Sequence, residues 1–313
     1  SQVDVDVIGT SAPFRSYKST GRELIANTFL QGNWVLFPDA DELLVYPGWP
    51  GLSLPSLVDY LEENAYEAMF TTMVDMYSRG ALSDLDYVAG ADLIEACPWF
   101  DPDGYRFNPL KGSHGKKFET PVRHVFGGTR ERVFHRNAKR ARTLLDDWII
   151  RTVYSIDSQA PRTGVQRKID RLVFKLIKDA LPDPAAVQSK VQFLKWKKGL
   201  RFSGSVHNVW QALSLAPDWG ALLHFKYLND YAEKISDALE RKQHTDNSGH
   251  YLDYHAQLET VLMGGLHTGR SARFTGADSL IECGLMRQSE ALQRWIAGRK
   301  RPNRCLASVP TKW

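Results

Sequence analysis

Cysteine is scarce in this chain: Cys97, Cys283 and Cys305 are the only three among 313 residues, far apart and odd in number. They suit neither a disulfide framework nor a zinc pattern, which makes a reducing cytoplasm the default compartment. Nowhere do 18 apolar residues follow one another, so no membrane-spanning helix is expected. Internal repeats and low-complexity tracts are missing, which argues against a solenoid or a long disordered linker. The basic residues have no interleaved aromatic platforms, and this argues against nucleic acid as a partner.

What remains is an ordinary globular composition, 43% hydrophobic and 24% charged, with a net charge of only +4. The small net charge hides an asymmetry. Residues 38–103 carry fourteen Asp/Glu against Arg79 alone, whereas residues 136–201 carry sixteen Lys/Arg against six Asp. An acidic edge beside a basic flank suits a metal together with an anionic ligand.

The acidic part begins with Trp34-Val-Leu-Phe-Pro-Asp39-Ala-Asp41-Glu42-Leu-Leu. A strand over 34–37 would turn Asp39 and Asp41 to the same side, because residues two apart share a face. Two convergent carboxylates suit Mn²⁺ or Mg²⁺, which take oxygen ligands and keep positions open for phosphate. Ala68–Met76 reads as the next apolar strand, with a Pro/Ser-started helix from Leu54 to about Asn64 between the two. Strand-helix-strand points to a mostly parallel sheet, with its ligand beyond the carboxyl ends where Asp39 and Asp75 fall.

This Asp-Ala-Asp-Glu stretch resembles the metal-binding signature of bacterial family-2-like glycosyltransferases of GT-A fold. Val74-Asp75-Met-Tyr-Ser78, the Gly127–Phe134 stretch with Arg130, Lys190-Val-x-Phe-Leu-Lys-Trp196 and Leu222-Leu-His224-Phe-Lys226-Tyr-Leu resemble further blocks in order, over most of residues 1–265. The resemblance implies a GT-A-like (Rossmann-like) α/β fold with a mixed sheet flanked by helices. It implies sugar transfer, inverting in most such enzymes, from a nucleotide diphosphate-sugar to a glycan or lipid-linked hydroxyl in cell-surface polysaccharide synthesis. Asp39, Asp41 and His224 would hold the metal, and Arg130 and Lys226 would meet the diphosphate. Glu42 would support the metal carboxylates and Asp75 would be the base, with Asp101 its rival. His207 and Arg132 are secondary phosphate or acceptor candidates. Family members carry a whole βαβ unit before this strand; only 38 residues precede Asp39 here, so the nucleotide-binding half reads as incomplete. The alternative is a GT-A-like scaffold without catalysis, binding carbohydrate or serving assembly.

The expected organisation is a catalytic core over 1–135 with an opening strand at 3–8, a basic helical insertion over 136–186, the rest of the core over 187–265, and a helical end with a basic tail over 266–313. Within the insertion, Val165, Ile169, Leu172, Val173, Leu176, Ile177 and Ala180 form an apolar stripe at helical spacing. Docking on the core is its simplest use. Lys/Arg on the other positions also suit peripheral contact of helix 165–181 with an anionic inner-membrane surface.

Overall fold

The structure is a computed structural model that describes residues 7–12, 14–107, 124–134, 138–153, 164–182, 187–203, 205–241 and 249–299. Cys305, the tail beyond Arg299 and most of the expected strand at 3–8 lie outside these residues. In chain order the strands are β1 (Trp34–Leu36), β2 (Glu42–Val45), β3 (Ala68–Asp75), β4 (Trp99–Phe100), β5 (Arg106–Phe107) and β6 (Val125–Phe126). Then come β7 (Ser189–Lys195), β8 (Phe202–Ser203), β9 (Ser205–Val209), β10 (Leu215–His224) and β11 (Ala272–Arg273). Five of them form one sheet in the order β1-β7-β3-β10-β2; the others pair as short ribbons, β4 with β11, β5 with β6 and β8 with β9.

The sheet is mixed, correcting the mostly parallel expectation: β3 and β10 run parallel, while β1–β7, β7–β3 and β10–β2 are antiparallel. The cause is β7, from beyond the insertion, which enters between β1 and β3 and runs against both. β3 lies at the centre, and all eight of its residues are buried. Its alternate side chains feed two cores: Phe70 and Val74 join Val35, Trp196 and Phe225 on one face. Met69 and Met73 join Leu57, Tyr60 and Leu61 of the helix Leu54–Glu63 on the other. That helix starts where Ser53 Oγ accepts from the Ser56 amide at 3.2 Å. Each large side chain it buries contributes roughly 1.5–3 kcal/mol.

Residues 266–299 are built into the cores rather than forming a separate end: Phe274, Ala277, Leu280, Leu285 and Met286 join the first core, and the last helix joins the second. Leu292 is fully buried there, and Trp295 donates to Glu63 at 2.7 Å. Helices Leu144–Val153 and Gly164–Ile177 pack on each other through Ile149, Ile150 and Ile177. The expected stripe does not dock as a whole. Ile177 and Ala180 are buried, but Val165, Ile169, Leu172 and Leu176 stand in solvent, because the sister helix covers only one margin of so wide a stripe.

The crossing between β1 and β2 positions the site, because these strands are the two opposite edges of the sheet. The Phe37 amide still bonds β7 at the Gln192 carbonyl, and the Asp41 carbonyl already accepts from Phe225 just past β10. Four residue steps reach about 14 Å at most. Four strand spacings of a flat sheet measure about 19 Å, so the crossing requires a curled sheet. Residues 38–40 make the passage past the carboxyl ends of β3 and β10.

Candidate functional site

The sequence reading placed Asp39 and Asp41 on one side of a strand end. The strand stops at Leu36, and both aspartates sit in the crossing, where a turn forms with Glu42 N–H on the Asp39 carbonyl at 3.1 Å. The alternation rule therefore does not apply, and the two carboxylates have different partners. Asp39 accepts from Lys190 Nζ at 2.7 Å and from Arg22 at 3.2 Å. Burial opposes its charge, but Lys190 and then Arg22 outweigh this and hold the carboxyl well below the usual range. Glu42 is buried at its side chain, pairs with Lys190, and accepts from the Asp39 amide at 3.0 Å. Neither is free for a metal: Lys190, inside the sheet, takes the place of a cation.

Asp41 faces the other way, toward His224. Its Oδ2 lies 3.4 Å from His224 Nε2, and 33% of its side chain is exposed. The other ring nitrogen, Nδ1, is 2.7 Å from Asp75 Oδ1. Asp75 is fully buried and clamped by Arg130, whose Nε and Nη2 each donate at 2.9 Å, with Gln188 adding a bond at 3.3 Å. Burial works against the charge on Asp75, yet the Arg130 guanidinium and then His224 hold it well below the ordinary carboxylate range. A carboxylate cannot donate, so the proton of this contact sits on Nδ1; the Arg130 Nη2 atom 3.1 Å away is a second donor to the same oxygen. In the neutral ring Nε2 then presents a bare lone pair to Asp41.

Two acceptors facing each other need a cation or a proton between them. An ion about 2.1 Å from each, at an angle of about 90–110°, sets ligand atoms roughly 3.0–3.4 Å apart, and the observed spacing matches the upper value. A carboxylate behind a histidine is also the usual way to orient a metal-binding imidazole. Among the described residues, no group of three or more His, Cys, Asp or Glu is placed to hold a metal. The pair thus fits an ion whose other positions go to phosphate and water, and does not fit a closed structural site.

Beside Asp41 opens a pocket of about 360 Å³ lined by Ala40, Tyr87, Leu93, Phe225, Leu228 and Lys234. In comparisons with protein-family models, curated proteins and solved structures, nothing matches this chain. Its chemistry is therefore read from its own geometry.

Three expected roles change with the geometry. Asp75 cannot readily take a proton from a substrate, since it is enclosed and its oxygens already accept from Arg130, His224 and Gln188; it orients His224. Arg130 is buried in the same clamp, beyond reach of a diphosphate. Lys226 is half-buried, with Nζ 3.6 Å from the Tyr254 ring centre and 4.9 Å from that of Tyr251. Burial, and then the nearby Arg130 charge, bring its pKa down to about 7 from 10.5. The unfolded chain therefore binds more protons between these two values, and stability rises as pH is raised through that window. Lys226→Met should remove this dependence, so that urea midpoints of the variant between pH 7 and 10 vary less than those of the parent.

Of the secondary candidates, Arg132 and Asp101 pair with each other at 2.7 Å, and Tyr77 donates to Asp101 at 2.5 Å. His207 lies near Lys190 and Lys18; burial and then these charges push its pKa down to about 3, so it stays neutral. The sequence reading passed over Lys190, Gln188 and Arg22 as site residues, and Lys234 altogether. Gln188, Lys190 and Gln192 recur at every second position of a buried strand, and such a polar row was a usable signal.

Proposed function

We propose that this chain is a metal-dependent, GT-A-like glycosyltransferase that moves a sugar from a nucleotide diphosphate-sugar to a hydroxyl acceptor. One observation carries the proposal: Asp41 and His224 face each other at 3.4 Å, one partly exposed, the other fixed from behind by Asp75. They would hold Mn²⁺ or Mg²⁺, which when bound neutralises charge on the departing diphosphate. Asp75 keeps Nδ1 protonated and Nε2 aimed at Asp41, and Arg130 keeps Asp75 charged. Lys190 and Arg22 neutralise Asp39 and Glu42, so that the crossing survives with three carboxylates in four residues. The pocket beside Asp41 falls within the size range of small-molecule sites, and Lys234 gives it a cation on the rim.

Titration with UDP-, GDP- and TDP-sugars, with and without Mn²⁺, tests the reading. Binding of at least one donor is expected only when the ion is present. If no donor binds in a metal-dependent way, the chain is a scaffold for carbohydrate binding or assembly and the enzyme reading fails.

A further inference from the structure

The insertion leaves several large apolar side chains of each helix in water. Leu144, Leu145 and Trp148 on one helix are 90%, 63% and 62% exposed, and Ile169, Leu172 and Leu176 on its partner are 53%, 62% and 65% exposed. Isolated exposed leucines are normal in soluble proteins, but a contiguous row on a helix marks an interaction surface. The helix Gly164–Ile177 has three sides. Asp170 and Ile177 are buried toward the protein. Ile169, Leu172 and Leu176, spaced three and four apart, form the apolar row. Lys168, Arg171 and Lys175, continued by Lys178 just past the helix end, form a second exposed row about a third of a turn away, and among the described residues none of these four pairs with a carboxylate.

We propose that this helix pair is a docking surface for an anionic lipid bilayer, on which the chain lies peripherally. Charge complementarity selects this occupant: cations alongside an apolar row place charge at headgroup level while the aliphatic side chains enter the acyl boundary. Trp148 adds a side chain suited to that interface. Among the described residues no helix is long and apolar enough to cross a membrane, so attachment here is surface attachment. The inference does not depend on the sugar-transfer reading.

Cosedimentation of the full chain with vesicles tests it. Phosphatidylcholine vesicles containing phosphatidylglycerol should pellet the protein, less so as salt rises, and pure phosphatidylcholine should pellet little. Lys168→Gln with Lys175→Gln should weaken binding about fivefold per cation removed. Ile169→Ser, Leu172→Ser and Leu176→Ser together should abolish it, with only a small drop in thermal midpoint because each side chain is more than half in solvent. The proposal is overturned if anionic vesicles leave the protein in solution, or if the triple variant pellets like the parent. A concentration-dependent dimer that the triple variant dissolves would overturn it too, by assigning the surface to a second copy.

Discussion

Asp41→Asn should lower sugar-transfer turnover on the order of 10³-fold, whereas Asp39→Asn should cost much less. Lewis-acid stabilisation of a leaving group contributes several kcal/mol, and each 1.36 kcal/mol is a factor of ten in rate. Asparagine keeps the size of Asp41 but removes the charge that faces His224 Nε2 at 3.4 Å. At position 39 the same change removes a charge already neutralised by Lys190 and Arg22. Its cost falls on the stability of the crossing, because Lys190 keeps Glu42 as a partner. Initial rates at saturating donor and Mn²⁺, with metal affinity measured alongside, separate the two positions. Equal losses at 39 and 41 would restore the convergent-carboxylate picture and remove the geometric basis of the proposal.

The second large effect concerns stability. Arg130→Met leaves the fully buried Asp75 facing an uncharged side chain, and breaking a buried pair from one side costs about 3–5 kcal/mol. The double variant Arg130→Met/Asp75→Asn removes both charges and should recover much of that loss. Urea unfolding midpoints of the parent, the single and the double variant measure the coupling. The pH dependence has a definite sign. Asp75 has its folded pKa lowered, so its contribution is complete above the ordinary aspartate range. That contribution is lost as pH falls from there toward the depressed folded value. The single variant should therefore lose less stability on acidification than the parent. If Arg130→Met unfolds at the parent's urea midpoint, the clamp contributes nothing.

How far the sequence could be read depends on whether a feature is local. The helix at Leu54–Glu63 and the strand at Ala68–Asp75 are written in periodicity and capping residues, and the structure has them within a residue or two. The apolar run around His224 is also a strand, but it spans Leu215–His224, so it begins well before Leu222 and leaves Lys226 outside. The pairing of Asp39 with Lys190 joins positions 151 apart in the chain, and no local pattern encodes it. The same holds for Asp75 with His224, 149 apart. Asp75 is legible because it closes an apolar strand, and His224 because it interrupts an apolar run; seeing that one serves the other required knowing that β3 and β10 are parallel neighbours with these residues in register. The Asp39/Asp41 reading went wrong for a related reason: a two-residue period holds only while the backbone is extended, and the chain leaves its strand at Leu36.

The short crossing from β1 to β2 has a thermodynamic consequence. Asp41 stands on the same few residues that bind the two margins of the sheet together. Any ligand that grips Asp41 and His224 at once ties the end of this crossing to the end of β10, and by mass action its binding free energy is added to the resistance of that corner of the sheet to opening. Conversely, a chain in which that corner has opened has no assembled site to offer, so occupancy and local integrity rise and fall as one equilibrium.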